Sequence, residues 1–168
     1  LELIDDADTS ILSNITTLKI RKSFTPTTGS STNYTVYFSN AIYNPHSGHN
    51  ASAGGVLSST GFKVSGNSNV MFFDEDGAGN IRRYYLVGSV RTYVDNTAGT
   101  INYSTGQIDI SSLNISSIEN IRGSASSVIE ITVTPESNDI VPVRNQILNI
   151  DVANSTITVT ADTIVGGS

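Results

Sequence analysis

The stretch from Thr100 to Ile110 reads TINYSTGQIDI, and its spacing of apolar residues decides the class of the fold. Apolar residues alternate with polar ones in both halves of the stretch, beginning with Ile101 and Tyr103. A period of two places alternate side chains on one face of a β-strand. Gly106 lies between the two halves and can adopt the positive φ that a short turn requires. The stretch therefore predicts a β-hairpin with one buried face.

Other runs with the same period lie on both sides of this hairpin. Most of their apolar residues are β-branched or aromatic, which favours a pleated surface. A second hairpin is predicted where two apolar runs enclose a glycine-rich turn, Asp74–Asn80. The predicted strands outside the first hairpin are Leu18–Arg21, Tyr34–Phe38, Val70–Phe73, Ile81–Val87, Val128–Thr134, Gln146–Val152 and Ser155–Ala161. In the last three of these strands we expect the inward-facing residues to be Ile129, Ile131, Val133, Leu148, Ile150, Val152, Ile157 and Val159.

Turn-forming residues recur about every 8–12 residues, whereas helical periodicity is confined to the start of the chain. There, Asp8 or Thr9 can cap a short amphipathic turn that includes Ile11 and Leu12. We predict an all-β fold, an antiparallel β-sandwich with long loops and at most a short N-terminal helix. No shift in composition marks a boundary, so we expect a single domain over residues 1–168.

Acidic residues outnumber basic ones, with 15 Asp and Glu against 9 Lys and Arg, so the net charge is −6. This charge repels phosphate backbones and anionic lipid headgroups, so we expect neither nucleic acid nor a membrane as a partner. The apolar runs are also far shorter than the roughly 20 residues that a membrane-spanning helix needs. The chain contains no cysteine, which excludes disulfides and thiolate metal sites.

The turn Asp74–Asn80 gathers carboxylates and an amide beside two glycines, and such hard oxygen ligands suit Ca²⁺. Asp74, Asp76 and Asn80 are the candidate ligands. Asp, Asn and Gly are also the residues that a hairpin turn selects. The turn lacks the terminal Glu of the twelve-residue calcium loop, so the pattern favours a solvated turn over a metal site.

His46 and His49 are the only histidines, and they lie three residues apart in one loop. The loop supplies no third metal ligand, so the pair favours a surface role. The chain also lacks the Gly-x-Ser-x-Gly pattern of a nucleophile elbow, and two histidines in one loop offer little to a catalytic triad. We therefore predict no enzymatic activity, no cofactor and no small-molecule substrate.

Five blocks of sequence carry a resemblance to a known family. Each block has the sequence pattern of a turn or of a strand. The blocks are Asp8–Asn14, Tyr43–His49, Asp76–Asn80, Ala98–Tyr103 and Val141–Leu148. In this order and spacing, over nearly the whole chain, they resemble the carboxy-terminal part of the baseplate wedge protein of contractile-tailed bacteriophages. The resemblance implies a non-enzymatic structural protein that self-associates and contacts other wedge subunits to build the baseplate ring.

The same resemblance implies a location in the tail of the virion, after assembly in the cytoplasm of the bacterial host. The chain starts at Leu1 rather than at Met, and we expect a C-terminal fragment of a longer structural protein. A module of another class remains open, an extracellular immunoglobulin-like adhesin or carbohydrate-binding domain. In such a module Tyr84, Tyr85 and Tyr93 would stack on sugar rings, although tyrosines on strands belong more often to the core or to the sheet surface.

The segment Ile140–Gln146 is the predicted contact with neighbouring subunits. Pro142 cannot donate a ladder hydrogen bond, so the segment is expected at a sheet edge or just outside one. Arg144 can bind a carboxylate through two parallel hydrogen bonds, and Asn145 and Gln146 can pair with exposed backbone groups. The alternative for Arg144 is an internal ion pair or cap.

Overall fold

Ten β-strands and no helix form residues 18–49 and 55–137, the part of the chain that this computed structural model describes. The strands are β1 (Ile20–Phe24), β2 (Thr32–Tyr37), β3 (Leu57–Ser59), β4 (Phe62–Val64), β5 (Met71–Glu75), β6 (Asn80–Val87), β7 (Val90–Asn102), β8 (Gln107–Leu113), β9 (Ile115–Ile118) and β10 (Ile129–Val133). The all-β prediction is confirmed. The predicted N-terminal helix and the predicted strands Gln146–Val152 and Ser155–Ala161 lie outside the described residues.

The strands form two antiparallel sheets that face each other in a sandwich-like arrangement. The larger sheet has seven strands in the order β2-β8-β7-β6-β5-β4-β9 and curls into half a barrel. The smaller sheet has three strands in the order β1-β10-β3. The antiparallel β-sandwich that the sequence predicts is therefore confirmed.

Apolar side chains from the inner faces of both sheets fill the space between them. The alternate residues Ile129, Ile131 and Val133 of β10 are fully buried, as predicted. From the larger sheet, the rings of Phe62 and Phe73 pack with their centroids 4.7 Å apart. Burying one such side chain stabilises the fold by about 1.5–3 kcal/mol. The alternation also fixes the register, because a slip of one residue would turn these side chains to solvent.

Both predicted hairpins are present. Strands β7 and β8 are joined by a turn in which Gly106 has a φ of 70°. Strands β5 and β6 pair as well, but Asp74 and Glu75 belong to β5, and Asn80 begins β6. The second turn is therefore shorter than predicted, because Asp74 and Glu75 have buried partners and continue the ladder.

Strand β7 has 13 residues and extends past its neighbours. Strand β8 pairs only with the second half of β7, at Gly99–Asn102. Among the described strands, the first half of β7 therefore pairs with β6 alone. On the other side, the pairing of β5 with β6 ends at Met71 and Tyr85. The β6–β7 hairpin thus projects beyond both neighbouring strands, and residues 86–94 are called the arm below.

Candidate functional site

The arm exposes apolar side chains at the end of the larger sheet. The exposed fractions are 47% for Leu86, 59% for Val87, 69% for Val90 and 43% for Val94. These residues are four of the six large hydrophobic side chains that are exposed within 18–49 and 55–137. Exposed apolar residues that cluster on a protein surface mark a site of interaction. The arm is therefore the strongest candidate for a contact with another molecule.

A two-residue turn, Gly88 and Ser89, closes the arm. Gly88 has a φ of 60° and occupies the first central position, as a type II′ turn requires. The twist of this turn matches that of the flanking strands. Val87 and Val90 consequently pair directly across the arm, which places two exposed valines side by side.

A buried ionic network supports the arm on the sheet face that points away from the core. Asp74 of β5 is fully buried and accepts three hydrogen bonds. The donors are Nε of Arg82 at 2.9 Å, Nη1 of Arg91 at 2.8 Å and the hydroxyl of Tyr93 at 2.8 Å. Arg82 is only 5% exposed, and its Nη2 also donates to the carbonyl oxygen of Glu75 at 2.8 Å. One carboxylate thereby joins three neighbouring strands.

Aromatic rings pack against both arginines of this network. The guanidinium of Arg82 lies 4.3 Å from the ring centroid of Tyr93, and that of Arg91 lies 4.8 Å from the ring centroid of Tyr84. Tyr84 also stacks on Phe72 at 5.7 Å. Burial raises the pKa of both tyrosines, and the hydrogen bond to Asp74 raises that of Tyr93 further. The arm is thus held by cation–π contacts as well as by ion pairs.

The three tyrosines that were candidates for sugar stacking do not share one open face. Tyr84 is buried between Phe72 and Tyr93, and the guanidinium of Arg91 lies over its ring. Tyr85 points to the opposite face and packs against the core. The structure therefore brings Tyr84 and Tyr93 together, but as members of the ionic network.

A second buried carboxylate, Glu75, connects the end of β5 to two loops. It accepts hydrogen bonds from the hydroxyl of Tyr103 at 2.6 Å, from the backbone N–H of Val56 at 3.1 Å and from that of Gly77. Burial, followed by the hydrogen bond and the charge of Glu75, raises the pKa of Tyr103 well above its ordinary value. This arrangement fixes the turn after β5, and Glu75 is fully buried.

The three candidate calcium ligands do not converge on one point. Both carboxylate oxygens of Asp74 are taken by the arginines and Tyr93. Asp76 accepts hydrogen bonds from the side chain of Asn80 at 2.6 Å and from the backbone N–H groups of Ala78 and Asn80. Burial raises the pKa of Asp76, but these hydrogen bonds outweigh it and the pKa is lowered. Asp76 and Asn80 therefore serve to shape the turn.

The two histidines lie in the loop after Tyr43, with ring centroids 5.8 Å apart and edge to face. Nδ1 of His49 lies 3.0 Å from the carbonyl oxygen of His46. Within residues 18–49 and 55–137, no three His, Asp or Glu side chains group into a metal-binding cluster. The loop is attached to the turn after β5, because the N–H of Gly48 donates to the carbonyl oxygen of Gly77 at 3.0 Å.

Comparisons with family models, with curated proteins and with solved structures gave no match to this chain.

The proposed interface residues Arg144, Asn145 and Gln146 lie outside the described residues. No described segment forms a helix that is long and apolar enough to cross a bilayer. The candidate functional site is therefore the arm with its network, which the sequence pattern did not indicate.

Proposed function

We propose that this chain is a non-enzymatic structural module that joins other protein chains through the arm. The observation that supports this most is the exposure of Leu86, Val87 and Val90 at the end of a hairpin held by buried ion pairs. The arm also carries Arg91 and Tyr93, and arginine and tyrosine are enriched in binding hot spots. Because the network already fixes the arm, less conformational entropy is lost when a partner binds.

The setting that we propose is the tail baseplate of a contractile-tailed bacteriophage. There the module self-associates and contacts other wedge subunits within the virion. The support for this setting is the resemblance of the five sequence blocks, and an all-β module with a projecting hairpin is compatible with it.

The first test concerns the arm in the assembled particle. The double variant Leu86→Ser/Val87→Ser removes exposed apolar surface, so the melting temperature of the isolated chain should change by less than about 2 °C. Incorporation of the parent protein into tails should fall at least about tenfold, measured by quantitative immunoblotting of purified particles. Tyr37→Ser is the matched control, since Tyr37 is 54% exposed on an edge strand away from the arm. Normal incorporation of the double variant would contradict the proposal.

The second test concerns the setting. Sequencing the genomic neighbourhood should reveal tail and baseplate genes beside the gene for this chain. Genes for secretion or for cell-wall anchoring would instead favour the adhesin or carbohydrate-binding alternative.

A further inference from the structure

The outer face of the larger sheet carries a row of polar side chains where β2, β8 and β7 lie side by side. Along β2, Val36 and Phe38 are buried, so Tyr37 between them points away from the core. Tyr37 pairs with Gln107 of β8, and Gln107 pairs with Asn102 of β7. Residues that pair directly across a ladder lie on the same face of a sheet. The row therefore crosses three strands.

A second row lies beside the first and crosses the same three strands. Thr35 of β2 pairs with Asp109 of β8, and Asp109 pairs with Thr100 of β7. Neighbouring strands lie about 4.8 Å apart, so each row spans about 10 Å. The two rows together are called the polar face below, and they consist of Thr35, Tyr37, Thr100, Asn102, Gln107 and Asp109.

Tyr37 presents an aromatic ring to solvent on the polar face. Its side chain is 54% exposed, and it makes no hydrogen bond or ring contact with any residue of 18–49 or 55–137. A ring in this setting offers a flat apolar surface with a polar tip. The C–H groups on one side of a sugar ring pack well on such a surface, while the hydroxyl groups at its rim stay available to polar side chains.

Asp109 fixes the orientation of two neighbours on the polar face. Nε2 of Gln107 donates to Oδ2 of Asp109 at 2.7 Å, and the hydroxyl of Thr35 donates to Oδ1 at 2.6 Å. Oε1 of Gln107 is left as an acceptor, with no donor among the described residues. A carboxylate has about four lone-pair sites, so Asp109 can accept further hydrogen bonds from a ligand.

Asn102 is held in the opposite sense by the turn that follows it. Its Oδ1 accepts hydrogen bonds from the backbone N–H groups of Ser104 and Thr105, both at 3.1 Å. Its Nδ2 is left as a donor, with no acceptor in the described part of the chain. Because Asn102 pairs with Gln107, an amide donor and an amide acceptor lie side by side. A sugar hydroxyl both donates and accepts, so this pair matches it.

The charge of the polar face determines which ligands suit it. Asp109 is the only one of the six residues that is charged at pH 7, and the face contains neither lysine nor arginine. Nothing on the face therefore attracts a phosphate, a sulfate or a carboxylate, and the net charge of −6 repels such groups. A neutral ligand rich in hydroxyl groups avoids this repulsion and can use the amides.

We propose that the polar face binds a neutral saccharide chain, with Tyr37 stacked on one sugar ring and with Gln107, Asn102 and Asp109 hydrogen-bonded to hydroxyl groups. A row of about 10 Å is longer than one sugar ring, so a chain uses it better than a single sugar does. Because the side chains are already oriented by one another, less conformational entropy is lost on binding. The inference goes beyond the proposed function, since the polar face and the arm share no residue.

The first measurement identifies the ligand class. The whole 168-residue chain, labelled at its amines, is applied to a printed array of neutral and acidic oligosaccharides. No lysine lies on the polar face, so the label leaves the face intact. The chain should be retained on neutral glycans. Retention on no neutral glycan, or on acidic glycans as strongly as on neutral ones, would overturn the proposal.

The second measurement locates the site by calorimetric titration with a retained neutral glycan. Tyr37→Ala should raise the dissociation constant at least about tenfold, because the stacking surface is lost, and Tyr37→Phe should stay within about twofold of the wild type. Tyr43→Ala is the matched control, since Tyr43 is 42% exposed in a loop and packs against His49. Unchanged binding by Tyr37→Ala, or an equal loss in Tyr43→Ala, would contradict the site.

A third variant tests the hydrogen bonds. Gln107→Ala removes an amide that lies on the surface, so it should weaken binding about threefold or more with a nearly unchanged melting temperature. Ser111→Ala is its control, because Ser111 is exposed farther along the same strand and lies outside the polar face. Wild-type affinity of Gln107→Ala would refute the role of the amide.

The outcomes for the saccharide site and for the proposed function can be told apart. If no neutral glycan binds while Leu86→Ser/Val87→Ser still prevents incorporation into particles, the saccharide site fails and the structural role stands. If that double variant is incorporated normally while Tyr37→Ala loses glycan binding, the structural role of the arm fails and the saccharide site stands.

Discussion

Asp74 is the residue on which the arm depends, because its buried carboxylate is the counter-charge of Arg82 and Arg91. The variant Asp74→Asn keeps the shape and leaves Arg82 buried without its ion pair, which should lower the free energy of unfolding by about 3–5 kcal/mol in urea titrations. The control is Asp95→Asn, since Asp95 on β7 pairs with Arg83 on β6 at 3.4 Å but its side chain is 32% exposed. That variant should cost less than about 1 kcal/mol. Equal losses would show that burial of the Asp74 pair is unimportant.

Tyr103 makes the stability sensitive to alkaline pH. Its pKa is raised in the fold, so the unfolded chain loses the phenolic proton first, and stability falls as the pH rises above about 10. Tyr103→Phe removes the hydrogen bond to Glu75, which should cost about 1.5–3 kcal/mol at pH 7. The variant should also lose less stability between pH 9 and 11 than the wild type, as urea titrations would reveal. The same substitution at exposed Tyr37 should change neither quantity, and an unchanged slope in Tyr103→Phe would contradict the assignment.

Calcium should contribute nothing measurable to stability. The oxygens of Asp74 and Asp76 already accept hydrogen bonds from protein groups, so binding the ion would first break them. A ligand at a hundredfold excess over its dissociation constant stabilises by about 2.7 kcal/mol, which a melting curve detects easily. We expect the melting temperature to be the same in EDTA and in millimolar Ca²⁺. A rise of several degrees with Ca²⁺ would restore Asp74, Asp76 and Asn80 as ligands.

At the level of elements, the turn between β7 and β8 depends on a glycine with no room for a side chain. Gly106 has a φ of 70°, and a Cβ there would collide with the carbonyl oxygen of Asn40. Gly66 has a similar φ of 81° but nothing within 4 Å of the same position. Gly66→Ala should therefore cost only the left-handed backbone term, about 1–2 kcal/mol. Gly106→Ala should cost clearly more in the same unfolding assay, since backbone must move as well.

The period of two was sufficient to predict most of β2, β5, β6, β8 and β10 and the two hairpins named above, but it did not predict residues 90–99 of β7. It did not predict β3, β4 and β9 either, because three or four residues are too few to establish a pattern. These strands form because longer neighbours offer them backbone partners. The register between distant strands is the information that a local pattern lacks.

The same limit explains why the arm was missed. The sequence pattern placed Asp74 in a turn, whereas its carboxylate forms ion pairs with Arg82 across the hairpin and with Arg91 on the next strand. Once the connection is taken as Asp76–Asn80, the pairing of Asp74 with Arg82 follows from counting outward on both sides. The contact with Arg91 follows only when the pairing of β6 with β7 is known as well.

On the scale of the whole molecule, the segment Ile140–Gln146 remains the predicted contact outside the described residues. Arg144→Glu should leave the melting temperature nearly unchanged and impair assembly of the parent protein, because a reversed charge at the rim of an interface repels its partner. Assembly can be followed by electron microscopy of particles. Normal assembly would contradict the interface, and a large loss of melting temperature would instead indicate an internal ion pair.

The position of β1 beside β10 has a mechanical consequence. Ile20 pairs with Val133, so the start of the first described strand lies next to the end of the last one. Tension applied through the two end segments would load this ladder at one end only. Its five cross-strand pairs would then separate one after another, which takes less force than shearing them all at once. The smaller sheet would then open before the larger sheet. The arm, which belongs to the larger sheet, would keep its structure while β1 and β10 separate.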